Sequence, residues 1–171
     1  IYDDSTVVQY PLNEDGSLKP ANDCFILSGH GIDPNGSPQG GGHSQASPHA
    51  HIVVIEPNGK FMAVCEKASE KVYMFKMGTD KLTLASVLQV PDGTGPRHCA
   101  FDKNGHMFMT SEFSSEIWSF NYDQEYGYLT FADKKSTVAD DFNGRNELAT
   151  IQVTKNGQYV YVNNRGEDTI A

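Results

Sequence analysis

Short runs in which apolar and polar residues alternate make up most of the chain. Turn residues interrupt them roughly every eight to twelve positions, which predicts many short β-strands. The interruptions include the Asn-Gly dipeptides at positions 58–59, 104–105 and 156–157, and this dipeptide favours the tight turn of a β-hairpin. No long helix is indicated. We therefore predict an all-β protein.

The predicted hairpins align with one another. When the Asn-Gly turns are superimposed, residues 51–66 match 97–112, and they match 149–165 after one extra residue. The turn asparagines are 46 and 52 residues apart, close to the length of a four-stranded propeller blade. The repeat therefore predicts a β-propeller of four-stranded antiparallel blades.

The chain covers about three such blades. We expect the last two strands of one blade in residues 1–27, complete blades in 51–90 and 97–138, and the first strands of another in 149–171. Closed propellers usually have four to eight blades. The remaining blades are therefore expected in a longer protein, or a second copy of the chain is needed to close the ring.

A glycine-rich loop at positions 28–47 interrupts this regular pattern. Loops of this length are usually functional lids or disordered tips. The glycines at 40–42 favour mobility, whereas the end of the loop at a predicted strand favours a site. Both interpretations stay open.

Composition narrows the classes of partner. The chain has 171 residues, 38% of them hydrophobic, and a net charge of −9 without a Lys/Arg cluster. That charge would repel a phosphate backbone, so nucleic acid is not an expected partner. No run approaches the roughly 18 apolar residues of a membrane helix, and no signal peptide is recognised, so we expect no membrane association.

The three cysteines, Cys24, Cys65 and Cys99, lie within or beside apolar runs. Their odd number and placement predict reduced, buried thiols rather than a disulfide framework. A cytoplasmic location follows as the simplest expectation.

The two ends of each hairpin carry the chemistry. The start of the first strand and the end of the second lie side by side, and the alignment predicts three such pairs: His51 with Glu66, Arg97 with Glu112, and Ala149 with Arg165. Arginine binds carboxylate or phosphate, glutamate can act as a base, and histidine can transfer a proton near neutral pH. A single Arg-Glu pair could instead link neighbouring blades. The convergence on one channel mouth favours a site.

A histidine pair and a set of aromatic residues allow other interpretations. His49 and His51 could supply two metal ligands, but no Cys, Asp or Glu falls at a recognised metal spacing, so no metal is predicted. Five aromatic residues alternate along predicted strands and are interpreted as sheet packing: Tyr73, Phe75, Trp118, Phe120 and Tyr122.

Four segments carry a family resemblance: SPHAH (47–51), GPRHCAFDKNG (95–105), SE (111–112) followed by FSSEI, and NNRGEDTI (163–170). They resemble the lactonase family of seven-bladed β-propellers. That family includes the propeller-type 6-phosphogluconolactonases of bacteria and the fungal 3-carboxy-cis,cis-muconate lactonizing enzymes. The similarity covers nearly the whole chain and implies about three blades of an expected seven.

The resemblance also implies an active site without a metal or organic cofactor. Its catalytic positions match His51 (with His49 as the alternative), Arg97, Glu112 and Arg165. Further substrate contacts are expected from His49, His98 and Glu66. Many relatives have Ala-Glu-Ile-His where this chain has residues 149–152, Ala-Thr-Ile-Gln, and an Arg-Gln pair where it has Ser44-Gln45.

The leading hypothesis is hydrolysis of a phosphorylated or carboxylated sugar lactone. Glu112 would activate water, the two arginines would hold the anion and the oxyanion, and His51 would protonate the departing ring oxygen. One alternative is a muconate-type cycloisomerisation at the same site. Another is a non-catalytic propeller that binds a partner, motivated by the changes at Thr150 and Gln152.

Overall fold

The computed structural model describes residues 1–35 and 44–171. Within them it contains thirteen β-strands and no helix, which confirms the all-β prediction. The strands are β1 (Thr6–Gln9), β2 (Asp23–Ile26), β3 (Ala50–Ile55), β4 (Phe61–Glu66), β5 (Lys71–Lys76), β6 (Thr83–Gln89), β7 (Pro96–Phe101), β8 (His106–Ser111), β9 (Glu116–Tyr122), β10 (Leu129–Ser136), β11 (Glu147–Val153), β12 (Val160–Arg165) and β13 (Thr169–Ile170).

The strands form antiparallel sheets in which each strand pairs with the next one in the chain. Strands β3 to β6 make one four-stranded sheet and β7 to β10 make another. Strands β1 and β2 form a two-stranded sheet, and β11 to β13 form a three-stranded one. The two complete sheets are the propeller blades that the hairpin pattern predicted.

A backbone feature recurs in all four sheets. Ser5, Glu70, Ser115 and Asp168 have positive φ angles of 54°, 59°, 55° and 59°. Such angles are uncommon outside glycine. Each residue directly precedes a strand, namely β1, β5, β9 or β13. These four strands therefore hold equivalent places, and β1 and β2 correspond to the third and fourth strands of a blade.

The Asn-Gly turns are held by an acceptor side chain at the end of the preceding strand. The Glu56 carboxylate accepts hydrogen bonds from the backbone N–H groups of Asn58 and Lys60, at 2.8 and 2.7 Å. Asp102 accepts the corresponding bond from Asn104 at 2.8 Å. These bonds satisfy turn amides that the strand ladder leaves unpaired.

The core lies between neighbouring sheets. Met74, Phe75, Met107 and Phe120 are fully or almost fully buried, and burial of side chains this large is the main favourable term in folding. The five alternating aromatic residues are all buried, which confirms their interpretation as packing residues.

The cysteine prediction is correct for two residues and wrong for the third. Cys65 and Cys99 are buried free thiols, whereas Cys24 is free and exposed. Cys24 lies on β2, where alternate residues face opposite sides. Phe25 takes the inner side and packs against Phe75, with ring centroids 4.9 Å apart, so Cys24 faces outward.

The predicted hairpin register is also wrong. The structure pairs Ala50 with Glu66, Pro96 with Ser111 and Glu147 with Arg165. Each first strand carries an irregularity shortly after this point, between Ala50 and Ile52, between Pro96 and Cys99, and between Leu148 and Ile151. A bulge adds residues to one strand and re-aims their side chains. The bulges contain His51, Arg97, His98 and Thr150.

The glycine-rich segment is only partly described, because residues 36–43 lie outside the described ranges. The expectation for the glycines at 40–42 therefore lies outside them too. The flanks of the segment are connected through Gln45, whose buried side chain accepts a hydrogen bond from the Asp33 amide at 3.0 Å. Gln45 also donates to Glu70 at 3.2 Å. Across residues 1–35 and 44–171, no helix is long and apolar enough to cross a membrane.

Candidate functional site

The first strands of three successive sheets, β3, β7 and β11, lie side by side and line a common cavity. This cavity has a volume of about 430 Å³. Its walls are mainly aliphatic, with polar groups from His98, Thr150 and Gln152. It is a space of the size and polarity that suits a small organic ligand.

Glu112 lies at the centre of a cationic cluster. Its Oε2 accepts a hydrogen bond from Lys67 Nζ at 2.7 Å, and its Oε1 accepts one from Arg165 Nη2 at 2.5 Å. Arg97 Nε lies 3.3 Å from the same Oε1. Three cations from three different sheets or their adjoining turns therefore share one carboxylate.

The cluster extends outward through Glu147. Arg165 Nη2 lies 3.4 Å from Glu147 Oε2, and Arg145 donates a hydrogen bond to Glu147 Oε1. Four cationic side chains thus share two carboxylates. This local excess of positive charge contrasts with the net charge of −9 of the whole chain, and it can bind an anion.

The two arginines that contact Glu112 are more accessible than its carboxylate. The exposed fraction of the side chain is 42% for Arg165 and 15% for Arg97, but only 2% for Glu112. An anion that approaches the cluster therefore meets the two guanidinium groups before it meets Glu112. Both groups present several N–H donors, which suits a carboxylate or phosphate.

Glu112 is held in its ionised form. Burial alone would raise the pKa of this carboxyl, but the hydrogen bond and charge of Lys67 oppose that effect. With the additional charges of Arg97 and Arg165, the pKa of Glu112 falls below its usual value. A carboxylate so stabilised is a weak base, and its main capacity is to orient the cations.

Histidine side chains lie beside the arginines. The rings of His51 and His98 are 5.1 Å apart between centroids. Burial, together with the charge of Arg97, lowers the pKa of each histidine to about 4. Both imidazoles are therefore neutral at pH 7.

The two histidines differ in their hydrogen bonding. Arg97 Nη1 lies 3.3 Å from Nε2 of His98, and because a guanidinium only donates, this nitrogen must accept. The Nδ1 atom of His51 is buried and makes no hydrogen bond within the described part of the chain. His98 therefore has one ring nitrogen engaged by Arg97, whereas no hydrogen bond from the described residues engages Nδ1 of His51.

Tyr2 covers the histidines from one side. Its ring stacks on His49 with centroids 4.3 Å apart, and it meets the edge of His51 at 6.0 Å. Burial, followed by the negative charge of Glu112, raises the pKa of Tyr2. The phenol therefore remains a hydrogen-bond donor at neutral pH.

Local backbone contacts fix the strand that carries Arg97. Gly95 has φ +65°, and a Cβ atom there would lie 2.6 Å from the ring of Phe113. Its N–H donates a 2.5 Å hydrogen bond to the buried carboxylate of Glu70. Within the bulge, the N–H of His98 donates to Thr110 Oγ1 at 3.0 Å. Glycine is therefore required directly before Pro96 and Arg97.

The structure brings together most of the residues expected at the site. His49, His51, Arg97, His98, Glu112 and Arg165 lie in one region and are joined by the contacts described above. Thr150 and Gln152 line the adjoining cavity.

Glu66 has a different environment. Its buried carboxylate accepts hydrogen bonds from the N–H groups of His49 at 2.6 Å, Ala68 at 2.7 Å and Ser69 at 2.9 Å, and from the Ser69 hydroxyl. These bonds occupy both oxygens. Glu66 thus holds the backbone of His49 and of the turn that follows β4.

Two residues of the site are not predicted from the sequence: Lys67 and Tyr2. Lys67 directly follows the aligned hairpin segment 51–66, and Tyr2 precedes the first strand. A lysine directly after a strand end was the only available signal for Lys67. Within residues 1–35 and 44–171, no group of three or more His, Cys, Asp or Glu side chains is arranged to hold a metal ion.

Together, the fold and the cluster define a β-propeller with a cationic site at the first strands of its blades. The chain belongs to the family described as "Lactonase, 7-bladed beta-propeller", whose model matches residues 1–171.

Individual relatives agree with this assignment. The chain is 30% identical to the 6-phosphogluconolactonase of Bacillus subtilis over 171 residues, which are 99% of this chain and 46% of that protein. A crystal structure of a Lactobacillus plantarum protein matches with a TM-score of 0.87 and 31% identity, over 99% of this chain and 47% of that one. The fold also matches the Pseudomonas aeruginosa periplasmic gluconolactonase, with a TM-score of 0.78 and 24% identity over 95% and 44%. The chain thus spans less than half the length of these relatives.

Proposed function

We propose that the protein is a lactonase that hydrolyses an anionic sugar-acid lactone, with 6-phosphogluconolactone as the first candidate. The observation that carries this proposal is the pair of accessible guanidinium groups, Arg97 and Arg165, held by the buried Glu112 next to a neutral His51. The name of the Bacillus subtilis relative supports the choice of substrate.

Substrate binding uses the arginines and the cavity. The anionic group of the lactone binds to the guanidinium donors, and the sugar ring extends toward the cavity lined by His98, Thr150 and Gln152. Charge-assisted hydrogen bonds to arginine are stronger than neutral ones. They also fix the position of the lactone carbonyl relative to His51.

The reaction needs a water molecule, a base and a stabilised oxyanion. Neutral His51 accepts a proton from water while the water oxygen attacks the lactone carbonyl carbon. The tetrahedral oxyanion is stabilised by an arginine N–H group. When the bond from the carbonyl carbon to the ring oxygen breaks, His51 returns its proton to that oxygen, and the product is the open-chain hydroxy acid.

This mechanism divides the roles differently from the sequence-based hypothesis, in which Glu112 activates water. Both oxygens of Glu112 are already engaged by cations, Oε2 by Lys67 and Oε1 by Arg97 and Arg165, which favours a positioning role. With a pKa of about 4, His51 is unprotonated at neutral pH. It must therefore first receive the proton that it later donates.

The location of the protein and the closure of its propeller are predictions from the sequence. A cytoplasmic location stays a prediction, and one structural relative is described as periplasmic. Closure of the propeller by further blades or by a second copy also stays a prediction. In the part of the chain that the structure describes, no contact specifically favours cycloisomerisation or a scaffold role.

The test is hydrolysis by the intact protein of 6-phosphoglucono-δ-lactone and of neutral glucono-δ-lactone, followed by acid release in a pH-stat. We expect a rate well above spontaneous hydrolysis, with a preference for the phosphorylated lactone. A rate equal to the spontaneous one for both compounds would refute the proposal. Turnover of a muconate to a lactone without uptake of water would instead identify a cycloisomerase.

A further inference from the structure

Lys67 is a buried lysine at the centre of the site. Its side chain is only 3% exposed, and its ammonium lies 2.7 Å from Glu112 Oε2. Lysine is almost never buried to this extent unless it is paired. It binds the carboxylate oxygen opposite to the one shared by Arg97 and Arg165.

The surroundings of Lys67 hold the ammonium in place. The rings of Tyr2 and Phe113 lie 5.8 and 5.7 Å from Nζ, measured to their centroids. Such distances allow a cation–π attraction. The backbone N–H of Lys67 donates to the carbonyl of His49 at 3.2 Å. Lys67 therefore connects the segment that carries the histidines to the carboxylate that orients the arginines.

The charge balance depends on this contact. Without Lys67, the negative charge of Glu112 would be compensated by Arg97 and Arg165 alone. With Lys67, the carboxylate is compensated from its Oε2 side, so the two arginines keep more of their attraction for an external anion.

We propose that Lys67 is a positioning residue of the site: it binds Glu112 so that Arg97 and Arg165 are both oriented and electrostatically available for the anionic group of the substrate. This inference rests on the proposed lactonase function. The competing explanation is an ion pair that only joins two blades. A purely structural pair would affect folding but would not change the preference for an anionic substrate.

The test compares Lys67→Met, which removes the charge, with Lys67→Arg, which restores it. Steady-state kinetics of the intact protein are measured with 6-phosphoglucono-δ-lactone and with neutral glucono-δ-lactone. We expect Lys67→Met to raise KM for the phosphorylated lactone about tenfold or more, with a change below about threefold for the neutral one. Lys67→Arg should recover most of the loss. Equal changes for the two lactones would overturn the proposal.

Lys134 offers a matched control outside the site. Its ammonium lies 2.8 Å from Glu116 Oε1 and 5.0 Å from the ring centroid of Trp118, so it also contacts a carboxylate and an aromatic ring. Lys134→Met should leave KM for both lactones unchanged within about twofold. A selective loss for the phosphorylated lactone in this control would show that the effect is not specific to Lys67 and would overturn the proposal.

A second measurement tests the proposal if Lys67→Met folds poorly. It also applies if neither lactone is hydrolysed, because it measures binding and not turnover. Binding of inorganic phosphate is measured by calorimetry for four proteins: the wild type, Lys67→Arg, Glu112→Gln, and the double variant Lys67→Met/Glu112→Gln. If Lys67 acts through Glu112, its removal in the Glu112→Gln background should change phosphate affinity less than about threefold, while Lys67→Arg binds like the wild type. A tenfold loss in that background would overturn the proposal, whether or not either lactone is hydrolysed.

Discussion

Arg165 donates a 2.5 Å hydrogen bond to Oε1 of Glu112, a residue 53 positions earlier in the chain. Glu112 follows β8 and Arg165 ends β12, so this contact joins two neighbouring sheets. The carboxylate is buried, whereas the guanidinium is substantially exposed. One contact thus connects neighbouring blades and also presents an accessible cation beside Glu112.

Replacement of Glu112 by Gln should reduce both stability and activity. The variant leaves the buried Lys67 without its counter-charge, and breaking such a pair costs about 3–5 kcal/mol of unfolding free energy. Urea unfolding measures the loss. Glu116→Gln is the control, because Glu116 pairs with the more exposed Lys134 and its loss should cost about 1 kcal/mol or less. Equal costs for the two variants would contradict a buried, charge-compensated Glu112.

Replacement of Arg165 by Gln should impair catalysis with little effect on folding. Its side chain is 42% exposed, so few packing contacts are lost. We expect kcat/KM for the phosphorylated lactone to fall about a hundredfold or more, as when an oxyanion or anion donor is removed. Arg165→Lys should recover only part of the activity, because lysine lacks the forked donor geometry.

The control for this prediction is Lys135→Gln, which removes another cation. The Lys135 side chain is 75% exposed, and its ammonium lies 3.3 Å from the exposed carboxylate of Asp133. It should retain wild-type kinetics within about twofold. A normal kcat/KM for Arg165→Gln would remove Arg165 from the substrate site.

The pH profile should lack the usual histidine limb near pH 6.5. The pKa values of His51 and His98 lie at about 4, because burial and the charge of Arg97 disfavour the protonated rings. The base is therefore active throughout the neutral range, and kcat/KM for the neutral glucono-δ-lactone, which has no phosphate that titrates near pH 6, should fall only as the pH approaches about 4. An acid limb near pH 6.5 would show that the proton acceptor is not a buried histidine.

The same shifts predict the direction of a stability change. The folded-state pKa of each histidine lies below the value of the unfolded chain, near 6.5, so the unfolded state binds more protons between pH 6.5 and 4. Stability should therefore fall as the pH drops through this window. Burial raises the pKa of Glu70 to about 7, which acts on stability in the opposite direction. The histidine contribution is therefore measured as the difference between the wild type and the double variant His51→Asn/His98→Asn in thermal unfolding at pH 7 and pH 5. The wild type should lose more stability than the double variant between these pH values, and equal changes would contradict the buried, neutral rings.

Substitution of Gly95 by Ala should displace the strand that carries Arg97. The positive φ angle alone costs about 1–3 kcal/mol for a residue other than glycine, and contact with the Phe113 ring should add about 1–3 kcal/mol more. Gly93→Ala is a close control, because Gly93 has φ +81° but an added Cβ atom would meet nothing within 4 Å among the described residues. Gly95→Ala should also raise KM, while Gly93→Ala should not. Equal losses of stability would exclude the Phe113 contact as the cause.

The scaffold could be predicted from the sequence to a large extent. Strand alternation and Asn-Gly turns depend on neighbouring residues, so they were readable in the chain, and the four-stranded antiparallel sheets agree with the prediction. The GPRH and NRG segments were also informative. Their glycines stand where the backbone needs a positive φ angle or a close approach, as at Gly95 and Gly166.

The environment of each site residue depended on tertiary structure. The bulges moved His51 and Arg97 out of the simple register, because a bulge is stabilised by contacts such as Thr110 with His98 and not by the alternation itself. Glu66 and Glu112 align in sequence, yet one is bound by backbone amides and the other by three cations.

The sequence by itself therefore determined the strands and the hairpins, and it predicted four charged or titratable residues at one site. Only the tertiary structure decided that Lys67 completes the charge balance of Glu112 and that His51 is buried and neutral. The physical reason is that hydrogen-bonded turns are local, whereas ion pairing and pKa values depend on side chains that packing brings together from different blades.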